Sequence, residues 1–352
     1  MKSFQCQNCG QLLFFENTQC LHCGYQLGYI PEAQVLTALN PIDNQLWQPL
    51  DSTVSHQQFR LCANYVQENV CNWLTSADDP NPFCRSCRLN QTIPNLNEGN
   101  NRKLWADLEV AKRRLIYSLW ALGLPVVDKE QDPERGLAFD FLAPTGDDAE
   151  PVTTGHADGL ITINIFEADS VTREQTRVAM DEPYRTLLGH FRHEIGHYYW
   201  MLLVQNSEWL EPFRLLFGNE QEDYGQALER HYQADPPSNW QEQFVSVYAG
   251  AHAWEDWAET WAHYLHITDA IETAREFGVT VRLKAGSSRS SLTMADLYSQ
   301  EFQNIVDRWL PLTYALNSIN RSMGQPDMYP FVLSPKAIEK LSFVHEVIKG
   351  GH

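Results

Sequence analysis

Hydrophobic residues recur at helical spacing along much of the chain. The clearest stripe begins near Leu104, and its members are Leu108, Ala111, Leu115, Leu119 and Leu122. Gly123 follows directly and Pro125 comes soon after, and both residue types commonly end helices. The pattern therefore predicts a helix over 104–122. From Arg173 onward the chain is predicted to be mostly helical, with one break around 278–291.

A second pattern, alternation of apolar and polar residues, occurs at 160–165 and predicts a strand. This strand is predicted either to lie at an edge, where it pairs with an extended peptide, or to be an ordinary interior strand. The segment 128–154 is dense in Gly, Pro and acids and predicts loop with short strand pieces, whereas the Asn-rich segment 90–104 predicts a linker. Together these patterns indicate the α+β class, mainly helical with a small β-sheet.

Length and charge narrow the classes of function. The 352 residues exceed the size at which one core keeps growing, so two or more units are expected. The net charge of -19 repels phosphate backbones, which disfavours nucleic-acid binding. No run of about 18 apolar residues is present, so no membrane span is expected. The polar start of the chain shows no signal-peptide pattern, which favours the cytoplasm.

The first cysteine group consists of two Cys-x-x-Cys pairs, Cys6 with Cys9 and Cys20 with Cys23. Their separation is typical of a tetrahedral zinc site. A segment of about thirty residues has too little core to fold alone, so the metal would supply the folding energy. We call this cysteine segment the ribbon. The alternatives to zinc are two disulfides or a redox pair.

The second cysteine group has looser spacing. Cys84 and Cys87 form a tight pair, whereas eight residues separate Cys62 from Cys71. A second four-cysteine zinc site is predicted if the fold brings the two pairs together. Free buried thiols are the alternative, because buried cysteine is common.

An H-E-x-x-H motif, His193 to His197, lies inside an apolar segment with helical spacing. Positions i and i+4 of a helix lie on one face, so His193 and His197 are predicted to hold one metal ion. Glu194 is adjacent and is predicted to be the catalytic base that takes a proton from water. Gly196 leaves room for a second chain segment to approach. His190 is interpreted as structural.

The start of this helix is predicted from the chemistry of helix ends. Pro183 is tolerated in a first turn, and acidic residues favour that end. Asp181 or Glu182 is therefore expected to begin the helix.

A downstream helical segment supplies the candidate third ligand. Glu255 and Glu259 are four residues apart and share a face, which is unfavourable without a cation between them. The simplest assignment makes Glu255 the zinc ligand and lets Glu259 accept the other ring N–H of His193 or His197. The reverse assignment stays open. Either His263 or His266, on the same helix, is a candidate donor to substrate or an oxyanion.

The chain resembles the bacterial zinc-binding metallopeptidases that carry an N-terminal zinc ribbon. The similarity covers nearly the whole chain, and the matching stretches are 6–23, 71–73, 84–90, 155–169, 184–197, 255–266 and 317–331. The Glu255-x-x-Ala258-Glu259-x-Trp261-Ala262 pattern is also similar to the second zinc helix of gluzincins, which implies that Glu255 is a ligand. Glu259 departs from that pattern, because a shorter Asp or Asn is usual there.

The residues and the resemblance together predict three segments: a zinc ribbon at 1–30, a second cysteine-rich segment with linker at 31–100, and a zincin-like metallopeptidase domain at 101–352. The expected cofactor is Zn²⁺, with one catalytic ion and one or two structural ions. The expected reaction is hydrolysis of a peptide bond in a peptide or protein substrate, with Glu194 as general base. The alternative is a zinc-stabilised protein-binding module with little or no turnover.

Overall fold

The computed structural model describes residues 1–43, 45–144, 152–179, 182, 185–281 and 301–350. The chain divides into two compact units. The first comprises Met1–Tyr117, Val126–Gly155 and Gly159–Ser170, and the second comprises Ser118–Pro125, His156–Asp158 and Val171–His352. Strands concentrate in the first unit and helices in the second, so the predicted α+β class is confirmed.

The first unit begins with a small antiparallel pair and continues into a five-stranded antiparallel sheet. Strand β1 (Phe4–Gln5) pairs with β2 (Leu12–Leu13). Strands β3 to β7 are Leu27–Ile30, Val35–Pro41, Trp47–Pro49, Phe59–Leu61 and Leu74–Ser76, and they lie across the sheet in chain order. Ile30, Leu39, Phe59 and Leu74 of these strands form a small buried core together with Val54, which lies between β5 and β6.

Helix α1 (Ala63–Val66) is one short turn, and helix α2 (Asn101–Ala121) is the long helix predicted from the apolar stripe. Leu108, Leu115 and Leu119 of that stripe are fully buried. The prediction of a linker over 90–104 is partly wrong. Strand β8 (Asn90–Thr92) and the first turn of α2 both lie within it, because Asn is compatible with a short strand and with a helix start as well as with a loop.

A second sheet contains the predicted strand at 160–165. The predicted strand is β11 (Leu160–Asn164). The sheet also contains β8, β9 (Ala138–Leu142) and β10 (Gly155–Ala157), in the order β10-β11-β9-β8. Strand β11 pairs with β9 in parallel, with Leu160 opposite Ala138. Because β11 has β10 on its other side, it is an interior strand of the described sheet, which favours the second of the two predicted roles.

The second unit is built from helices. They are α3 (Ser170–Ala179), α4 (Leu187–Tyr199), α5 (Leu210–Phe217), α6 (Tyr224–Gln233), α7 (Ala253–Glu276), α8 (Phe302–Ser322) and α9 (Pro335–Gly350). Helix α7 packs against α4, α8 and α9, so it lies at the centre of the unit. Among the described helices, none has the length and apolarity needed to cross a membrane.

Helix α4 starts later than predicted. Thr186 precedes it in extended conformation, and its hydroxyl accepts a hydrogen bond from the backbone N–H of Gly189 at 3.0 Å. The predicted start at Asp181 or Glu182 is therefore wrong, although Asp181 and Pro183 lie outside the described residues. A threonine cap satisfies a backbone donor directly, which Pro183 cannot do. Most of the predicted break at 278–291 also lies outside the described residues, and α7 ends before it at Glu276.

Candidate active site and cysteine metal centres

Helices α4 and α7 approach each other closely at Gly196. A Cβ atom placed on Gly196 would lie 3.0 Å from the Cα atom of Ala258 and 3.2 Å from the Cβ atom of Trp261. Any larger residue would therefore press on the backbone of α7. The contact confirms the predicted role of Gly196, and it places the motif histidines of α4 opposite acidic side chains of α7.

Three atoms that carry lone pairs converge between these helices. The Nε2 atoms of His193 and His197 are 3.3 Å apart, and Glu255 Oε2 lies 3.0 Å from the first and 3.7 Å from the second. This oxygen is buried, yet no described residue makes an aligned hydrogen bond to it. Ligands about 2.0–2.1 Å from a tetrahedral zinc ion are about 3.3 Å from one another. The donor set and its spacing therefore fit one Zn²⁺ ion.

Glu259 lies on the opposite side of the His193 ring. Its Oε1 is 2.8 Å from Nδ1 of His193, and its Oε2 accepts a hydrogen bond from the Ser246 hydroxyl at 2.6 Å. A protonated Nδ1 leaves the lone pair on Nε2, which is the atom that faces Glu255. The geometry thus favours Glu255 as the ligand and Glu259 as the group that orients His193, over the reverse assignment.

The pKa shifts of His193 and Glu255 also indicate that this cluster binds a positive charge. Burial lowers the pKa of His193, but the nearby carboxylates of Glu255 and Glu259 outweigh burial and raise the pKa well above its usual range. Burial opposes ionisation of Glu255, yet His193 and His197 hold its pKa well below the usual range. The two buried carboxylates need a cationic partner. A bound zinc ion is such a partner.

Glu194 is beside the first histidine and differs from the other two acids. It is 8% exposed, and no hydrogen bond or ion pair joins its carboxylate to another described residue. A carboxylate in this state is free to accept a proton from a small molecule near the histidines. This is the condition that a general base has to meet.

The cysteines of the ribbon form a four-sulfur cluster. Cys6 Sγ is 3.6 Å from Cys23 Sγ, and Cys9 Sγ is 3.6 Å from Cys20 Sγ. These separations exclude disulfide bonds in this structure, where all four thiols are free. Four thiolates about 2.3 Å from a tetrahedral zinc ion are about 3.8 Å from one another. The cluster therefore fits the predicted zinc.

The loosely spaced cysteines also come together. Cys62, Cys71, Cys84 and Cys87 are all buried, and the sulfurs of Cys71 and Cys84 are 3.8 Å apart. The backbone N–H of Trp73 lies 3.3 Å from Cys71 Sγ, a typical contact to a thiolate ligand. Burial and the neighbouring thiols raise the pKa of Cys84 well above its usual range. These thiols can therefore ionise together only with a cation among them.

Helix α2 places a buried cation beside this second cluster. Arg113 is 4% exposed, and it donates a hydrogen bond to the backbone oxygen of Val70 at 2.6 Å. Burial lowers its pKa, but the charges of Cys71 and Glu109 outweigh burial and raise it. Four thiolates and one Zn²⁺ ion carry a net double negative charge. Arg113 is placed to offset part of that charge.

Comparison with known proteins identifies the family. Residues 101–347 match the family model described as "Putative zinc-binding metallo-peptidase". The chain belongs to this zinc-binding metallopeptidase family. Residues 3–98 match the model of a zinc-ribbon domain, so the predicted resemblance is confirmed in both parts of the chain. An uncharacterized protein of Mycobacterium bovis and one of Mycobacterium tuberculosis are each 47% identical over 352 residues, 99% of this chain and 95% of theirs. No solved structure matches the chain.

This metallopeptidase family member has further polar residues at the site that the sequence did not reveal. The Tyr224 hydroxyl donates a hydrogen bond to Glu255 Oε1 at 2.7 Å. The ring of Tyr248 lies 5.9 Å from the ring of His193, and it lies equally far from that of His231. Burial and the Glu255 charge raise the pKa of both tyrosines, so both stay protonated and remain donors. These residues belong to no periodic pattern or motif.

The other histidines near the motif have different partners. His263 is buried with Nδ1 at 2.6 Å from the Tyr329 hydroxyl, and burial lowers its pKa to about 4. His266 Nδ1 lies 2.6 Å from an Arg192 nitrogen. Both Nδ1 atoms thus have protein partners, and a contact of either histidine with substrate stays a prediction. His190 is half-buried in the first turn of α4 and is not among the converging atoms.

Proposed function

We propose that this protein is a zinc-dependent peptidase whose catalytic zinc is held by His193, His197 and Glu255. The observation that carries this proposal is the convergence of two imidazole nitrogens and one carboxylate oxygen, each within reach of a single ion, next to a Glu194 carboxylate with no described partner. Three protein ligands leave one tetrahedral position open, as catalytic zinc sites require. Family membership supports the zinc and the class of enzyme.

The proposed substrate is a peptide or protein. When bound, Zn²⁺ supplies Lewis-acid polarisation of the scissile carbonyl and lowers the pKa of a coordinated water. Glu194 takes the proton of the attacking water and later delivers it to the leaving amine. Glu259 holds His193 in one tautomer through Nδ1, which keeps Nε2 available. The hydroxyl of Tyr248 is the nearby donor proposed to orient a substrate carbonyl, since Tyr224 already donates its proton to Glu255.

The two cysteine clusters are proposed to hold one structural zinc each, which makes three ions in all. Each cluster has four thiols within ligand spacing of one another, and four protein ligands close a zinc site to water. Free thiols in metal sites require a reducing compartment, so we propose that the protein is cytoplasmic.

The decisive experiment compares wild type with Glu194→Gln. Both proteins are purified with zinc, the metal is counted, and cleavage of an unfolded protein substrate is followed by mass spectrometry of the fragments. We expect equal zinc content and at least a 100-fold slower cleavage by the variant. Glu339→Gln, an exposed carboxylate on α9, is the matched control and should cleave like wild type. Equal cleavage by wild type and Glu194→Gln removes Glu194 as the base. A wild type with full zinc that cleaves nothing supports the binding-module alternative.

A further inference from the structure

The two oxygens of the Glu255 carboxylate have different surroundings. Oε1 accepts a hydrogen bond from the Tyr224 hydroxyl at 2.7 Å. Oε2 faces His193 and His197 at 3.0 and 3.7 Å, and it has no aligned hydrogen-bond donor among the described residues. The side chain is 1% exposed, so water has little access to either oxygen. Oε1 is therefore hydrogen-bonded to a phenol, and Oε2 is available to bind a cation.

His252 links the starts of α6 and α7, the two helices that carry the contact between Tyr224 and Glu255. Tyr224 is the first residue of α6, and Glu255 lies in the first turn of α7. His252 precedes α7, and its Nδ1 accepts the backbone N–H of Trp254 at 3.1 Å. Its other nitrogen, Nε2, therefore carries the proton and donates to the backbone oxygen of Glu222 at 3.1 Å. This link holds the segment before α6 against the start of α7, which sets the distance between Tyr224 and Glu255.

We propose that Tyr224 is a positioning residue that holds Glu255 in place, so that its Oε2 serves as the metal ligand. The inference rests on the proposed zinc site. Without the phenol proton, Oε1 would be a buried acceptor with no partner, and the carboxylate would be able to rotate away from the histidines. Groups that orient metal ligands in this way commonly change metal affinity by 10–100-fold when they are removed.

The experiment is a measurement of zinc affinity on the full chain with Tyr224→Phe. Competition with a chelator at a strength that leaves the cysteine sites filled gives the dissociation constant of the weakest site. We expect zinc to bind about 10–100-fold more weakly than in wild type. Tyr314→Phe removes an exposed phenol on α8 and is the matched control, with wild-type affinity expected. Wild-type affinity in Tyr224→Phe overturns the inference.

A double-mutant cycle separates positioning from general damage. In a Glu255→Ala background, Tyr224→Phe should change zinc affinity no further, because the route through the carboxylate has been removed. An equal loss in both backgrounds shows a merely structural effect and overturns the inference. If Tyr224→Phe fails to fold, Tyr224→Met, which also lacks the hydroxyl, is measured instead. A zinc site about 10–100-fold weaker in that variant supports the inference, and wild-type affinity overturns it.

Zinc affinity does not depend on peptide hydrolysis, so the two proposals fail separately. If Glu194→Gln cleaves like wild type while Tyr224→Phe binds zinc weakly, the catalytic role of Glu194 fails and Tyr224 keeps its role. If Glu194→Gln is inactive while Tyr224→Phe binds zinc normally, only the inference about Tyr224 fails.

Discussion

The indole Nε1 of Trp257 donates a hydrogen bond to the backbone oxygen of Gly196 at 2.8 Å. Trp257 is fully buried on α7, and Gly196 lies between the two motif histidines on α4. The bond joins the helix with the histidines to the helix with the acids. The separation of the ligands therefore depends on a close contact that involves neither histidine.

Replacing Gly196 with alanine tests that dependence. The added methyl would sit 3.0 Å from the Cα of Ala258 and force the helices apart. We expect a loss of about 1–3 kcal/mol in the free energy of unfolding, as for other overpacked cores, and weaker zinc binding at the histidine site. Chemical denaturation and chelator competition measure the two effects.

The control for Gly196→Ala is Gly225→Ala on α6, where the nearest atom to the new methyl is 3.6 Å away. Alanine is favoured over glycine inside a helix by about 1 kcal/mol. Gly225→Ala should therefore leave stability unchanged or raise it slightly. A stabilised Gly196→Ala protein with normal zinc binding would show that the helices do not need the close approach.

Alanine at each of the two acids distinguishes their roles. Glu255→Ala removes a proposed ligand and should weaken zinc binding at the histidine site by more than about 100-fold, so that chelator empties this site while the cysteine zincs remain. Glu259→Ala removes only the acceptor of His193 Nδ1 and should weaken the same site by about 10–100-fold. Counting zinc by atomic absorption after dialysis, with and without chelator, measures both. If Glu255→Ala retains zinc at the histidine site and Glu259→Ala loses it, then Glu259 is the ligand and Glu255 is not.

Local spacing was enough to predict the residues that share one element. His193 and His197 are one helical turn apart, and Glu255 and Glu259 are likewise. The ribbon cysteines were predictable for the same reason, since each knuckle spans four residues. The start of α4 shows the limit of this reasoning. Its cap is Thr186, not the predicted acid before Pro183. A capping residue is chosen by backbone geometry, and several polar residues in a row can serve.

Contacts between distant segments could not be predicted. Tyr224 reaches Glu255 across 31 residues, and Ser246 reaches Glu259 across 13. Neither residue has a period or a motif, because its position is set by the loops and caps that join α6 to α7. Cys62 and Cys71 likewise meet the tight pair only because the chain between them turns through α1.

Stability should depend on pH through His263. Burial lowers the pKa of His263 to about 4, against about 6.5 in an unfolded chain. The unfolded state therefore binds more protons between pH 6.5 and 4, and stability falls as pH falls through that window. Above the unfolded-state pKa of about 6.5, this effect contributes its full amount, about 3 kcal/mol, to the free energy of unfolding.

The variant His263→Asn has no titrating group at this position. Comparison with wild type therefore separates the pH dependence due to His263 from other effects of pH. Acid also releases zinc, but it does so in both proteins. The difference in unfolding free energy between wild type and variant should therefore shrink by about 3 kcal/mol from pH 7 to pH 4. Urea denaturation at several pH values measures it. A constant difference would show that His263 is not held neutral by its burial.

Arg113 offers a test of how the second cysteine site is stabilised. It is buried beside Cys71, and Glu109 Oε2 lies 3.7 Å from one of its guanidinium nitrogens. Arg113→Met keeps much of the side-chain volume but removes the charge that offsets the thiolates. Loss of one partner from a buried charged network commonly costs about 3–5 kcal/mol. We expect a loss of that size in unfolding free energy and faster zinc release from this cluster.

The neighbouring Arg114 is the matched control. Its side chain is 42% exposed and pairs with Glu16 at 2.6 Å. Exposed ion pairs contribute at most about 1 kcal/mol, so Arg114→Met should change stability little and release zinc at the wild-type rate. Zinc release into excess chelator, followed with a metal-sensitive dye, gives the rate for each cluster. If Arg113→Met releases zinc no faster than Arg114→Met, the backbone N–H groups around Cys62 and Cys71 suffice to hold the thiolates, and the arginine serves only to fix α2 through Val70.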